Sequence, residues 1–168
     1  ESSSWRFDGK NWIEDKKLLS GLPAGEESLF ILKAGIDQGF RLRDLNHDGQ
    51  CELIVSNPGQ QAVFKWSVED SRWQQLPWSL PEEAFLVDAK GRDAGLRFVD
   101  INEDGFEDAL FSNESRYSLH LFKSLEKGWK QVFDKQRNAA GEVPAISRNG
   151  TNNFFWCLVP LEASLGSK

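Results

Sequence analysis

Apolar and polar residues alternate in short stretches along this chain. In residues 62–67, Ala62, Phe64 and Trp66 interleave with Val63, Lys65 and Ser67, the two-residue period of a half-buried strand. Similar short apolar runs recur, bounded by Gly, Asn, Asp and Pro, and long runs with helical spacing are scarce. The pattern predicts strands near 39–43, 52–56, 62–67 and 72–76, and again near 95–99, 108–112, 118–123 and 129–133.

The two groups of strands are one unit written twice. Shifted by 56 residues, Asp37 meets Asp93, Gly39 meets Gly95 and Arg41 meets Arg97. Asp44, Asn46, Asp48 and Gly49 meet Asp100, Asn102, Asp104 and Gly105, and Ser56, Asn57 and Trp73 meet Ser112, Asn113 and Trp129. Apolar positions are kept in kind: Leu42 with Phe98, Leu45 with Ile101, Ile54 with Leu110, Val55 with Phe111. The stretch WRFDGKNWIE (5–14) echoes FKWSVEDSRWQQ (64–75) and HLFKSLEKGWKQ (120–131), each an apolar strand, a polar turn and a Trp opening another strand. The chain thus divides into the end of one unit (1–36), two complete units (37–92 and 93–147) and the start of a further unit or a tail (148–168).

Four antiparallel strands in a unit of this length are the pattern of a β-propeller blade, and such sheets bury their faces by stacking on neighbours. The expected class is all-β, with propeller-like blades of four antiparallel strands in an incomplete ring. About three units fall short of the roughly four to eight blades of a closed propeller. The rest of a ring lying in a longer parent, an open stack and a sandwich all remain compatible with that count.

Composition narrows the function classes. With 168 residues, 39% apolar and 12% aromatic, the chain can bury the core of one domain. The formal charge of −6, with no basic stretch, argues against a nucleic-acid partner. The longest apolar run, Phe154–Pro160, is well short of the roughly 18 residues of a membrane helix, so no membrane span is expected. The chain has no Met and no leader pattern, and it reads as a piece of something longer. The two Cys, Cys51 and Cys157, lack the CxxC or His pair of a zinc site. They either form one disulfide or stay as small buried side chains, the reading preferred here.

The chemistry concentrates between the first and second strands of each unit. Asp44, Asn46 and Asp48 occupy positions 1, 3 and 5 of a loop, with Gly49 at 6 and Glu52 at 9; the second copy has Asp100, Asn102, Asp104, Gly105 and Asp108. Alternating oxygen-bearing side chains in a tight turn converge, the glycine supplies a positive φ, and the carbonyl at position 7 (Gln50 or Phe106) is free to turn inward. Three carboxylates, an amide and a carbonyl per loop form an all-oxygen donor set suited to Ca2+, without the soft or imidazole ligands that zinc and copper prefer. Without a cation the crowded carboxylates repel one another. Position 12 is Val55 or Phe111, inside β-type runs, so this is not the helix-flanked EF-hand loop with its Glu at 12.

The pattern D-x-N-x-D-G-x-x-(E/D) between strands, once per 56 residues over 37–133, resembles the FG-GAP (VCBS-type) repeat of integrin-α-like propellers and bacterial surface proteins. The resemblance implies a blade with Ca2+ held in each loop. The ligands it implies are Asp44, Asn46, Asp48, the Gln50 carbonyl and Glu52, and Asp100, Asn102, Asp104, the Phe106 carbonyl and Asp108. The Phe-Gly and Gly-Ala-Pro signatures are absent, and Glu52 stands where Asp is usual. The stretches DAKGRDAGLRFVDINEDG and RNGTNN also resemble parts of large secreted dehydrogenase-like proteins of planctomycete-type bacteria, which implies an accessory segment of a larger oxidoreductase as the alternative function. The leading expectation is a non-catalytic calcium-binding module of a secreted, periplasmic or cell-surface protein. It would bind a protein or carbohydrate ligand, with the rest of a parent propeller or a second copy covering its sheet edges.

Other candidates are weaker. Trp12, Trp66, Trp73 and Trp129 sit at strand or repeat-equivalent positions and read as core, while Trp78, in LPWSLP, is the best candidate for an exposed aromatic contact. His47 at position 4 should point outward, and His120, in a strand, reads as structural. Glu103 and Glu107 read as a solvated rim, and Asp37 and Asp93 as turn caps or surface groups. No nucleophile, metalloprotease or phosphate-binding motif occurs. Asn113-Glu-Ser and Asn149-Gly-Thr fit the N-glycosylation pattern, which carries no meaning in a bacterial protein, the origin preferred here.

Overall fold

The computed structural model of the chain describes residues 3–23, 29–137 and 143–153. It is all-β, with several small antiparallel sheets, none of them closed. β1 (Trp5–Phe7) and β2 (Trp12–Glu14) form a hairpin, followed by one 3₁₀ turn, Lys16–Leu19, capped by the Asp15 carboxylate on the Lys17 N–H. A second hairpin, β3 (Leu32–Lys33) and β4 (Ile36–Asp37), leads into a four-stranded sheet of β5 (Phe40–Arg43), β6 (Glu52–Asn57), β7 (Gln60–Ser67) and β8 (Arg72–Gln75). A second four-stranded sheet follows, in the order β9 (Leu96–Val99), β10 (Asp108–Ser112), β11 (Arg116–Ser124), β12 (Gly128–Gln136). The described part ends with the hairpin of β13 (Ser147–Arg148) and β14 (Thr151–Asn152).

The register explains how the sheets meet. Ile54 pairs with Val63 across β6 and β7, on the opposite face from Leu53, Val55, Ala62 and Phe64. Ile54 and Val63 lie in one core with Leu96, Ala109, Phe111 and Phe122 of the second sheet and with Leu76, Leu80 and Ala84 of the connection between them. Leu53, Val55, Ala62 and Phe64 form a second core on the other face, against Leu22, Leu29, Phe40 and Trp73. The central strands β6 and β7 are therefore buried on both faces. That accounts for the unbroken apolar run Leu53–Val55, which carries no alternation at all.

The outer hairpins share an aromatic signature. Phe7 and Trp12 are paired in register, as are Trp66 and Trp73, and Phe122 and Trp129. In each pair the ring centroids are 5.4 Å apart. The surroundings differ, however. Phe122 is buried, whereas Trp12 is 68% exposed, so the expectation that Trp12 is core is corrected: β1 and β2 have no inner strands beside them among the described residues. Trp78 is corrected in the other direction. It is half-buried, donates its Nε1–H to the Leu125 carbonyl at 2.9 Å and sets its ring edge-on to Trp129, so it closes the core rather than offering a contact. Cys51 is exposed rather than buried, and Cys157 lies outside the described residues.

Candidate functional site

Each acidic loop is the turn from the first strand of a sheet to the second, β5 to β6 and β9 to β10. The loops fold the same way. The Asp44 carboxylate accepts the Asp48 and Gly49 N–H groups at 3.0 and 2.9 Å, and Asp100 accepts those of Asp104 and Gly105 at the same two distances. Asp48 accepts from the Gln50 N–H at 2.8 Å, and Asp104 from the Phe106 N–H at 3.1 Å. The Asn46 and Asn102 amides each donate to the next acid, Asp48 and Asp104, at 2.9 Å. Short polar side chains thus capture the main-chain donors of a turn that has no ladder partner. Position 4 takes the left-handed conformation in both copies, His47 at φ 53° and Glu103 at φ 59°.

The position-9 acids lie at the base of each loop. Glu52 and Asp108 are 2% and 0% exposed. Glu52 accepts the Leu45 N–H at 3.0 Å, and Asp108 accepts the Ile101 and Phe122 N–H groups at 3.3 and 2.8 Å. Burial raises the pKa of both. The Leu45 amide opposes it at Glu52, and the Phe122 and Ile101 amides oppose it at Asp108, while the loop's other acids push the same way as burial. The longer Glu52 therefore reaches the amide of position 2, as the shorter Asp108 does.

The charge balance separates these acids from the rest. Asp37, Asp88 and Asp93 each hold an arginine four residues on, Arg41, Arg92 and Arg97, at 2.7, 2.6 and 2.6 Å. Asp37 and Asp93 also cap the turns into β5 and β9 by accepting the Gly39 and Gly95 N–H groups, as expected for turn caps. By contrast, Asp44, Asp48, Glu52, Asp100, Asp104 and Asp108 form no salt bridge with any described residue. The Gln50 and Phe106 carbonyls accept no hydrogen bond from a described residue.

The donor set suits a hard cation: carboxylate and carbonyl oxygens, with the Asn46 Oδ1 closed off from solvent and without a donor. As the side chains stand, no three His, Cys, Asp or Glu groups among the described residues are gathered as a metal cluster, because the carboxylates are occupied with their own loop's amides.

Sequence reasoning missed Glu107. Expected on a solvated rim, it is half-buried, its N–H bonds the Leu45 carbonyl at 3.0 Å, and its Oε2 is closed off without a partner. Only the stacking of the two sheets brings it there, so no spacing within one unit signals it. No helix of the described residues is long and apolar enough to cross a membrane. No protein-family model matches the chain, and neither a curated protein nor a solved structure matches it.

Proposed function

We propose that this chain is a non-catalytic calcium-binding repeat module, two blades of a β-propeller-type array of the FG-GAP kind, with one Ca2+ held in each acidic loop. Asp44, Asn46, Asp48, the Gln50 carbonyl and Glu52 serve the first ion. Asp100, Asn102, Asp104, the Phe106 carbonyl and Asp108 serve the second. The observation that carries the reading is the charge balance: the six loop carboxylates form no salt bridge with any described residue, while Asp37, Asp88 and Asp93 each hold an arginine. A bound ion neutralises the cluster and fixes the turn between two strands, a structural role. Loops of this kind suit the calcium levels outside cells, with affinities around 10⁻⁴ to 10⁻³ M. The module then belongs to a secreted, periplasmic or cell-surface protein, where its outer surface serves a protein or glycan partner.

Calorimetric titration of the protein with CaCl₂ tests this. The expected result is saturable binding at two sites, one abolished by Asp48→Ala and the other by Asp104→Ala. The melting temperature should rise with calcium and fall back with chelator, because a ligand of the folded state stabilises it. Flat titrations with unchanged melting would overturn the reading.

A further inference from the structure

The junction between the two sheets has two unlike sides. The first sheet presents Ile54 and Val63, in register across β6 and β7 and fully buried. The second sheet covers them with a face that includes Phe122 and, at its margin, Trp129. These two are the in-register aromatic pair of the outer hairpin β11–β12. An aliphatic pair on central strands thus meets an aromatic pair on an outer hairpin.

Each side recurs elsewhere in the molecule without its counterpart. Leu110 and Leu119 are in register across β10 and β11, on the opposite face from Ala109 and Phe111, which belong to the junction. This second aliphatic pair is only half-buried. The aromatic pair recurs on β1–β2. Trp5, Phe7 and Trp12 share one face, because Trp5 and Phe7 alternate along β1 and Trp12 lies opposite Phe7. They are 54%, 55% and 68% exposed. The hairpin stands beyond the first sheet, where the Trp73 N–H of β8 bonds the carbonyl of Ser20, just after the 3₁₀ turn, at 2.8 Å. Trp73 and Trp129 give their Nε1–H groups to the Leu18 and Glu107 carbonyls at 2.9 and 3.1 Å, whereas Trp12 gives its own to no described residue. Three large aromatic side chains together in solvent form a surface that a partner covers, and a two-stranded hairpin is marginal until something packs on it. The cover that Phe122 and Trp129 have inside the molecule is an aliphatic sheet face, and a second copy of the chain brings such a face with it.

We propose that this chain associates head to tail with a second copy, the Trp5, Phe7 and Trp12 face of one packing on the Leu110 and Leu119 face of the next and repeating the junction between the two sheets. The contact joins different surfaces of the two partners. It leaves one open face of each kind, so it extends to further copies or closes into a ring. It does not rest on the calcium reading.

Sedimentation velocity over a concentration series, in calcium and in chelator, tests this. The sedimentation coefficient should rise with concentration in both. Trp12→Ser should weaken association by about tenfold or more, as truncating an anchoring aromatic does. Leu119→Ser should weaken it from the other side; should that variant not fold, Leu110→Thr is read in its place. Mixed one to one, the two variants should form a heterodimer and nothing larger, because each keeps one intact face. A wild type that stays monomeric throughout would overturn the proposal and leave the open faces to the chain's own residues 154–168 or to another partner. So would association undiminished in Trp12→Ser, or a mixture that stays monomeric, which marks a symmetric contact between like faces. Association without calcium binding would uphold this proposal and overturn the calcium reading alone.

Discussion

A methyl group added at Gly39 would lie 2.2 Å from the Ser56 carbonyl oxygen, and one at Gly95 would lie 2.5 Å from that of Ser112. These glycines let β5 and β9 approach the second strand closely enough for the Ser56 and Ser112 N–H groups to bond the glycine carbonyls at 3.1 Å. The loop glycines differ. Gly49 and Gly105 share the positive φ, 89° and 88°, but open space surrounds them. Gly49→Ala should therefore cost about 1–2 kcal/mol, the price of a left-handed alanine. Gly39→Ala adds a collision with main chain and should cost roughly twice that or more, as measured by urea unfolding. Both glycines are legible in the sequence as repeated positions. Their different reasons are not, because the collision partner lies in another strand 17 residues away, at Ser56. Glu107 was misread for the same reason: its setting is made by a neighbouring sheet.

At the scale of the element, the aromatic hairpins show what local pattern decides and what it leaves open. The Phe7–Trp12, Trp66–Trp73 and Phe122–Trp129 pairs share one centroid distance, 5.4 Å, so the hairpin geometry follows the local aromatic pattern of strand, turn and strand. Burial depends on what lies beside the hairpin. Phe122 also meets Trp78 and Phe106 ring to ring, and it is 1% exposed. Phe122→Ala should destabilise by about 3–5 kcal/mol, the range for large core aromatics. Trp12→Ala, at an exposed site, should change unfolding by about 0.5 kcal/mol. A comparable cost at both positions would show that β1–β2 is covered in solution. The central strands were placed within a few residues because the apolar runs are strong. The short β3–β4 and β13–β14 hairpins were not, since two-residue strands carry no periodicity.

For the molecule as a whole, one source of acid sensitivity is a buried imidazole. His120 is 6% exposed, on the same face of β11 as Phe122, and its Nε2 has no hydrogen-bond partner among the described residues. Burial, aided by the Arg116 charge and opposed by Asp134, holds its pKa below the ordinary 6.5. The unfolded chain takes up a proton as the pH falls through that value, while the folded protein resists until lower pH. Folding stability should therefore drop as the pH falls from 6.5 towards the lowered pKa. His120→Gln should lose less stability than the wild type between neutral pH and the acid side of this window, as followed by urea midpoints. An unchanged midpoint shift would assign the sensitivity to other groups. The all-β class was legible from strand-length apolar runs. The stacking that joins the two sheets through one core was legible only as a need, since the sequence marks apolar faces without saying which face meets which.

The bond from Glu107 to Leu45 places the two acidic turns side by side, at one end of the stacked sheets. Asp37, Asp88 and Asp93 are matched by arginines, whereas the loop acids form no salt bridge with any described residue. That placement brings six loop carboxylates near one another, with Arg43 and His47 as the cationic groups that bear on Glu107 between them. A partner that reaches one of these turns therefore meets the acids of the other as well, as a single charged face rather than two separate ones.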